Sequence, residues 1–326
     1  MDILTTNELE QVNDININTR EMGLGDKIQD LIQGFNNQAK SGTPVNAANA
    51  SVVLTVSGVV IDGETVTINN PEEDGSDVYE FCADDEQSVT TEGNIAVDIT
   101  ASVTASTGTL TVDTQPTSGD TMTIGSYLYT FVPDGTANAD GEISIGGDLA
   151  ETQGNIVAAI NGGDGFNTAN DVVSAASFSS DDCVLTALIG GVSGDAIATT
   201  ETFTAETNVF AAATLGSGAD CSAANAITAL VGAITGNDTQ GVGAEDGDGD
   251  TVNLTADTAG VVGNSITVEE TMANGSLAAE SLENGVDGTV GLATDTYIDA
   301  SYLYRCVADN STADKNWRRI SLGAAY

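Results

Sequence analysis

The residues best placed to do chemistry are the aspartates of "AEDGDGDTV", residues 244–252. Asp246, Asp248 and Asp250 have the 1, 3, 5 spacing by which a calcium loop aims carboxylates at one ion, and Asp257 falls at position 12. Position 6, however, is Thr251 rather than the glycine such a loop needs, and aspartate is shorter than the usual bidentate glutamate. A solvated hairpin turn explains the same residues, so no cofactor is expected beyond weak Ca²⁺ binding there. The pairs Glu72/Glu73 and Asp84/Asp85 have the groups for acid–base work, but with 49 acidic residues such pairs arise by chance. The chain has no histidine. A serine or cysteine nucleophile would lack its usual base, and zinc would lack a usual ligand. Cys82, Cys183, Cys221 and Cys306 form no C-x-x-C pair and read as buried thiols. "GVSGDAI" (191–197) and "GVVGNSI" (260–266) lie between strand candidates and read as turns rather than phosphate loops. No catalytic residue is assigned.

Seven basic against 49 acidic residues give a formal charge of −42. The basic residues are Arg20, Lys27, Lys40, Arg305, Lys315, Arg318 and Arg319, so residues 41–304 carry none. That stretch would repel phosphate backbones, and nucleic-acid binding is not expected. The two ends are where a partner of opposite sign could dock. No run of 18 apolar residues occurs and the start has no signal-like pattern, so neither membrane insertion nor conventional secretion is expected.

The elements that must position any site follow from periodicity. Thr6 could cap a helix carrying Leu9 and Val12 on one face. Ile28, Leu31, Ile32 and Phe35 then make an i, i+3, i+4, i+7 stripe. Residues 37–50 read as a linker. From Ser51 onward, alternating apolar residues and Gly/Asn/Asp turns predict strands. A complete module can be read in 101–220: strands, a helix in "ETQGNIVAAINGG" (151–163), then more strands. Residues 51–100 match its first half and 221–288 its second, which predicts one module inserted into another. The segment 289–326 predicts a hairpin rich in Tyr302, Tyr304, Arg305, Trp317, Arg318 and Arg319, residue types enriched at interface hot spots. The expected fold is mainly β with short helices, as β-sandwich-like α+β modules, one nested inside the other, plus an N-terminal helical segment.

"GDTMTIGSYLYTF", "GGDLAETQGNIVAAING" and "GDTVNLTADTAGVVGNSITVEET" resemble repeated modules of structural proteins of tailed bacteriophages, and "YLYRCVADNSTADKNWRRISL" resembles a terminal element of phage virion proteins. The resemblance implies a decoration or cement protein of the head, a head fibre or a tail component, with no enzymatic site. The expectation is therefore a non-enzymatic virion protein assembled in the host cytoplasm that decorates or cements the capsid exterior. It would bind the major capsid protein or another virion protein and self-associate, as a homotrimer by analogy. Partner contacts are expected from Leu9, Val12, Ile28, Leu31, Ile32 and Phe35 at one end and from Tyr302, Tyr304, Arg305, Trp317, Arg318 and Arg319 at the other. Two readings stand beside it: a tail tube or tail-fibre subunit, and a Ca²⁺-dependent host-surface or glycan-binding adhesin using Asp246, Asp248 and Asp250.

Overall fold

The computed structural model describes residues 40–41, 43–84, 86–237, 239–291, 296–298, 302–308 and 314–321. The expected N-terminal helices, with Leu9, Val12, Ile28, Leu31, Ile32 and Phe35, lie outside the described residues, as does Asp85. The described chain is mainly β: five four-stranded sheets and two α-helices.

After β1 (Lys40–Ser41) come β2 (Ser51–Val56), β3 (Thr65–Asn69), β4 (Asp77–Cys82) and β5 (Ile95–Asp98). The next strands are β6 (Ala105–Thr111), β7 (Thr121–Ile124), β8 (Tyr127–Val132) and β9 (Glu142–Ser144), followed by helix α1 (Leu149–Ile160). Then follow β10 (Val173–Ala175), β11 (Asp182–Gly190), β12 (Thr199–Glu201), β13 (Val209–Phe210) and helix α2 (Ala223–Gly236). The remaining strands are β14 (Val242–Asp246), β15 (Thr251–Ala256), β16 (Thr267–Glu270), β17 (Gly275–Leu277), β18 (Thr296–Ile298), β19 (Tyr302–Cys306) and β20 (Trp317–Ser321).

Two sheets are built wholly from the middle of the chain, in the orders β10-β11-β6-β13 and β12-β7-β8-β9. Two others repeat that plan as β14-β15-β2-β17 and β16-β3-β4-β5, drawing strands from both sides of the middle segment. In each plan three strands of the second sheet are antiparallel and the last pair, β8–β9 or β4–β5, is parallel. Burial alternates along β2, β7 and β15, as a strand with one face on a core requires. The middle sheets and α1 close on one core that includes Leu110, Met122, Phe131, Ile143, Ile156 and Leu185, all at most 1% exposed. Asp148 caps α1 by accepting from Glu151 N at 2.9 Å, while Glu151 Oε2 accepts from Gly147 N at 2.8 Å.

The repetition extends to buried carboxylates. In "SGDTMTI" the Asp120 carboxylate accepts from Thr117 N at 2.8 Å and from Thr204 N at 3.1 Å. In "DGETVTI" Glu64 accepts from Ile61 N at 3.0 Å and Ala273 N at 2.6 Å. Each acid ties the turn before its strand to a loop entering from much later in the chain. The phrases at 191–197 and 260–266 contain short 3₁₀ turns, Val192–Ala196 and Val261–Ser265. Asp195 in the first accepts from Gly218 N at 2.9 Å, and Asn264 in the second accepts from Gly285 N at 2.8 Å. Their glycines and polar side chains therefore lock strands together.

The described chain divides into two compact units, one of Val52–Thr255 with Ser265–Leu282, the other of Ala256–Asn264 with the residues up to Ser51 and from Glu283 onward. In the second unit, residues 43–50 of the expected linker are tied to the rest of that unit. Ala48 exchanges backbone hydrogen bonds with Val286 at 2.9 and 3.1 Å, Ala47 and Ala50 are buried, and Asn49 Nδ2 donates to Ala256 O at 2.6 Å. Side-chain amides supply partners to the main chain there, so a composition that looks flexible is pinned. All four cysteines are buried, and among the described residues none forms a disulfide. Burial pushes the Cys183 thiol up to about 11, and burial with the nearby Glu80, Asp62 and Asp84 carboxylates does the same to Cys82. Thiols so shifted are poor nucleophiles.

Candidate functional site

The fifth sheet has the order β1-β18-β19-β20, with β1 parallel to β18 and the others antiparallel. Its register pairs Tyr297 with Tyr304, Tyr304 with Arg319 and Cys306 with Trp317. Period-2 alternation therefore sets Tyr297, Tyr302, Tyr304, Cys306, Trp317 and Arg319 on one face, with Arg305 and Arg318 on the other. Tyr304, Cys306 and Trp317 are the buried centre of the first face, with Tyr297 and Tyr302 packed around them. Trp317 meets Tyr297 edge-on with ring centroids 5.1 Å apart, and its indole Nε1–H donates to Thr289 O at 2.7 Å. The Trp317 main chain is held by one amide: its N–H donates to Asn46 Oδ1 at 3.0 Å, and Asn46 Nδ2 donates to its carbonyl at 3.3 Å.

Beside this face opens a cleft of about 610 Å³ lined by residues 43–46, Tyr304, Trp317, Arg318 and Arg319. The sheet thus brings together all six residues expected at the C-terminal end of the chain. It also changes their roles. Trp317 and Tyr304 are 3% and 7% exposed, so they build the wall of the cleft rather than project from it. Residues 43–46 and Thr289 were not singled out by the sequence; nothing local in "GTPVN" signals that its asparagine will pair with a strand 271 residues away.

Arg305, Lys315, Arg318 and Arg319 are the cationic residues whose side chains are described, and all four are exposed. Arg319 stacks over the Tyr302 ring with its guanidinium carbon 4.7 Å from the centroid. Arg318 donates from Nη1 to the carbonyls of Lys315 at 2.7 Å and Trp317 at 3.1 Å. Lys315 Nζ donates to Asn49 Oδ1 at 2.8 Å. Among the described residues none of the four has a carboxylate at ion-pair distance. In a chain with 49 acids, that leaves a set of cations facing solvent.

No protein-family model, curated protein or solved structure matches the chain.

The aspartates with calcium-loop spacing occupy a hairpin. Asp246 ends β14, Asp248 and Asp250 lie in the turn, and all three are exposed. The turn is closed by Gly247 N donating to Thr251 O at 3.0 Å and Thr251 Oγ1 donating to Asp248 O at 3.1 Å. Among the described residues no three His, Cys, Asp or Glu side chains are grouped to hold a metal ion. Glu72 and Glu73 are exposed in a turn, and Asp84 Oδ1 accepts from Ser88 N at 2.8 Å, as a loop-capping carboxylate does. No described helix is long and apolar enough to cross a membrane. What the terminal sheet can do chemically is stack, donate charge-assisted hydrogen bonds to anions and seat a side chain against Trp317.

Gly291 keeps that wall in place. A Cβ there would sit 2.5 Å from Trp317 Cζ2, inside any real contact. Gly291→Ala should therefore displace the indole and shift its emission to the red as water reaches it. Because Trp317 is the single tryptophan, fluorescence reads this directly; an unchanged spectrum would show that the ring is not seated as described.

Proposed function

We propose that this chain is a non-enzymatic structural protein of a tailed-phage virion that decorates or cements the capsid exterior through its terminal segments. The observation that carries the reading is the charge layout: every described cationic side chain lies on β19, on β20 or in the segment just before β20, Arg318 and Arg319 line an aromatic-walled cleft, and residues 41–304 contain no basic residue. An acidic body keeps particles apart in solution, and a cationic, aromatic patch is suited to gripping one defined surface. The remaining sheets are read as two sandwich-like α+β modules, one nested in the other, forming the acidic exterior. The resemblance of their repeated phrases to phage structural modules supports the assignment.

Two experiments test it. Cryo-electron microscopy of particles from the phage that encodes the chain should find it on the capsid exterior. Density in the tail tube or a tail fibre would replace the reading with that alternative, and absence from particles would end both. A chain lacking residues 1–40 should lose capsid binding while the β modules keep their circular dichroism. Undiminished binding would remove the N-terminal segment from the anchor.

A further inference from the structure

The geometry points to the outer edge of β20 as a docking strand for an acidic, extended polypeptide segment of a partner protein. This deepens the proposed function, since it rests on reading the terminal sheet as the anchor, and names the chemistry of what is bound.

The backbone supplies the first argument. Val307 N donates to Asn316 O at 3.0 Å, which makes Val307/Asn316 a hydrogen-bonded pair of the β19–β20 ladder. Antiparallel pairs alternate, so Arg305/Arg318 is hydrogen-bonded, while Cys306/Trp317 and Tyr304/Arg319 turn their main-chain groups outward. Asn46 confirms the direction, because it takes both outward groups of Trp317. The next outward pair belongs to Arg319, on a strand whose one neighbour among the described strands of its sheet is β19. An edge of this kind recruits a further strand, and Asn46 already imitates the first residue of one.

The side chains supply the second. Arg305 and Arg318 stand directly opposite each other in register. Like charges so placed repel. Neither side chain has a carboxylate partner among the described residues. On the opposite face, Arg319 is held over Tyr302 beside the cleft. Guanidinium groups therefore flank the edge on both faces of the sheet. An extended segment turns successive side chains to opposite faces, so two consecutive acidic residues would meet Arg319 on one side and the Arg305–Arg318 pair on the other. The cleft beside Trp317 would receive an apolar neighbour. Charge complementarity favours a partner with a local acidic strand over a second copy of this chain, because two bodies of −42 repel as they approach.

The test uses the full chain and Trp317 fluorescence. The probe is the blocked nonapeptide Thr-Val-Glu-Glu-Val-Glu-Glu-Val-Thr, compared with the same peptide carrying Gln for every Glu. The acidic peptide should give a saturable change that weakens as salt is raised, since the exposed charges are screened. The variant Arg318→Gln/Arg319→Gln, with circular dichroism unchanged, should bind roughly tenfold more weakly for each arginine, as expected for lost charge-assisted hydrogen bonds. No response to the acidic peptide, an equal response to the Gln peptide, or full affinity in the double variant would each overturn the inference. An oligomer that the double variant dissolves, without peptide binding, would assign the edge to a second copy instead. The two proposals fail separately: peptide binding by a protein absent from particles sinks the virion reading alone, and a capsid-bound protein that ignores the peptide sinks only this inference.

Discussion

Phe131→Ala should destabilise the chain by about 3–5 kcal/mol, the range for emptying a buried phenylalanine site. The ring is fully buried in β8, packed against Phe203 with centroids 5.5 Å apart, among residues of both middle sheets and α1. The cavity would not collapse readily. Its backbone is fixed on both sides: Phe131 N donates to Asp120 O at 2.9 Å, and Gly119 N donates to Phe131 O at 2.8 Å. Because every residue of that core lies between Leu110 and Leu215, the damage should concentrate there. Urea unfolding gives the magnitude, and hydrogen exchange gives the place: amides of β6–β13 should lose protection before those of β2–β5. A loss under about 1 kcal/mol would place the ring outside a packed core. Equal loss in both sets of strands would show that they melt as one unit.

The second large effect is expected at a residue without a side chain. A Cβ on Gly218 would collide with the Gly191 carbonyl oxygen and the Ser106 hydroxyl. Neither can move aside easily, because Ser106 Oγ donates to Asp195 at 2.7 Å and Gly191 N donates to Thr104 O at 3.0 Å. Gly218 belongs to the stretch that closes the middle segment, where Thr104 and Ala219 exchange backbone hydrogen bonds at 2.8 and 3.0 Å. Gly218→Ala should cost about 3 kcal/mol, at the upper end of overpacking, and raise exchange at Thr104 and Thr107. Gly285 meets the corresponding obstacle in Gly260 O, so Gly285→Ala should give a matching loss. A pair of neutral substitutions would mean that these strands do not close as described. Thermal unfolding of the two variants is sufficient to decide.

How much of this was legible in the sequence depends on the range of the interaction. The mainly β character was legible, because alternation in β2, β7 and β15 reports a half-buried strand residue by residue. Helix α1 announced its end, with Asn161-Gly162 after its last turn, but its start at Leu149 behind the Asp148 cap lies two residues before the expected one. The concentration of tyrosine, tryptophan and arginine near the C-terminal end marked a surface of interest. Their division into a buried wall and exposed cations was not marked, since it depends on register, and one residue of slip would exchange the two faces. The contacts of residues 43–50 were out of reach for a related reason. An asparagine-rich, proline-containing stretch reads as linker until the strand that its amides pair with is in view.

By itself the sequence determined the mainly β character and the rough place of α1, because turn residues and period-2 burial act over a few residues. It also determined the segregation of charge, which no folding can alter. Only the tertiary structure decided which strands share a sheet, that Glu64 and Asp120 reach loops more than 80 residues away, and that Arg318 and Arg319 stand on opposite faces of one edge strand. Those outcomes rest on contacts between distant segments, whose energies depend on geometry reached only when the whole chain is packed.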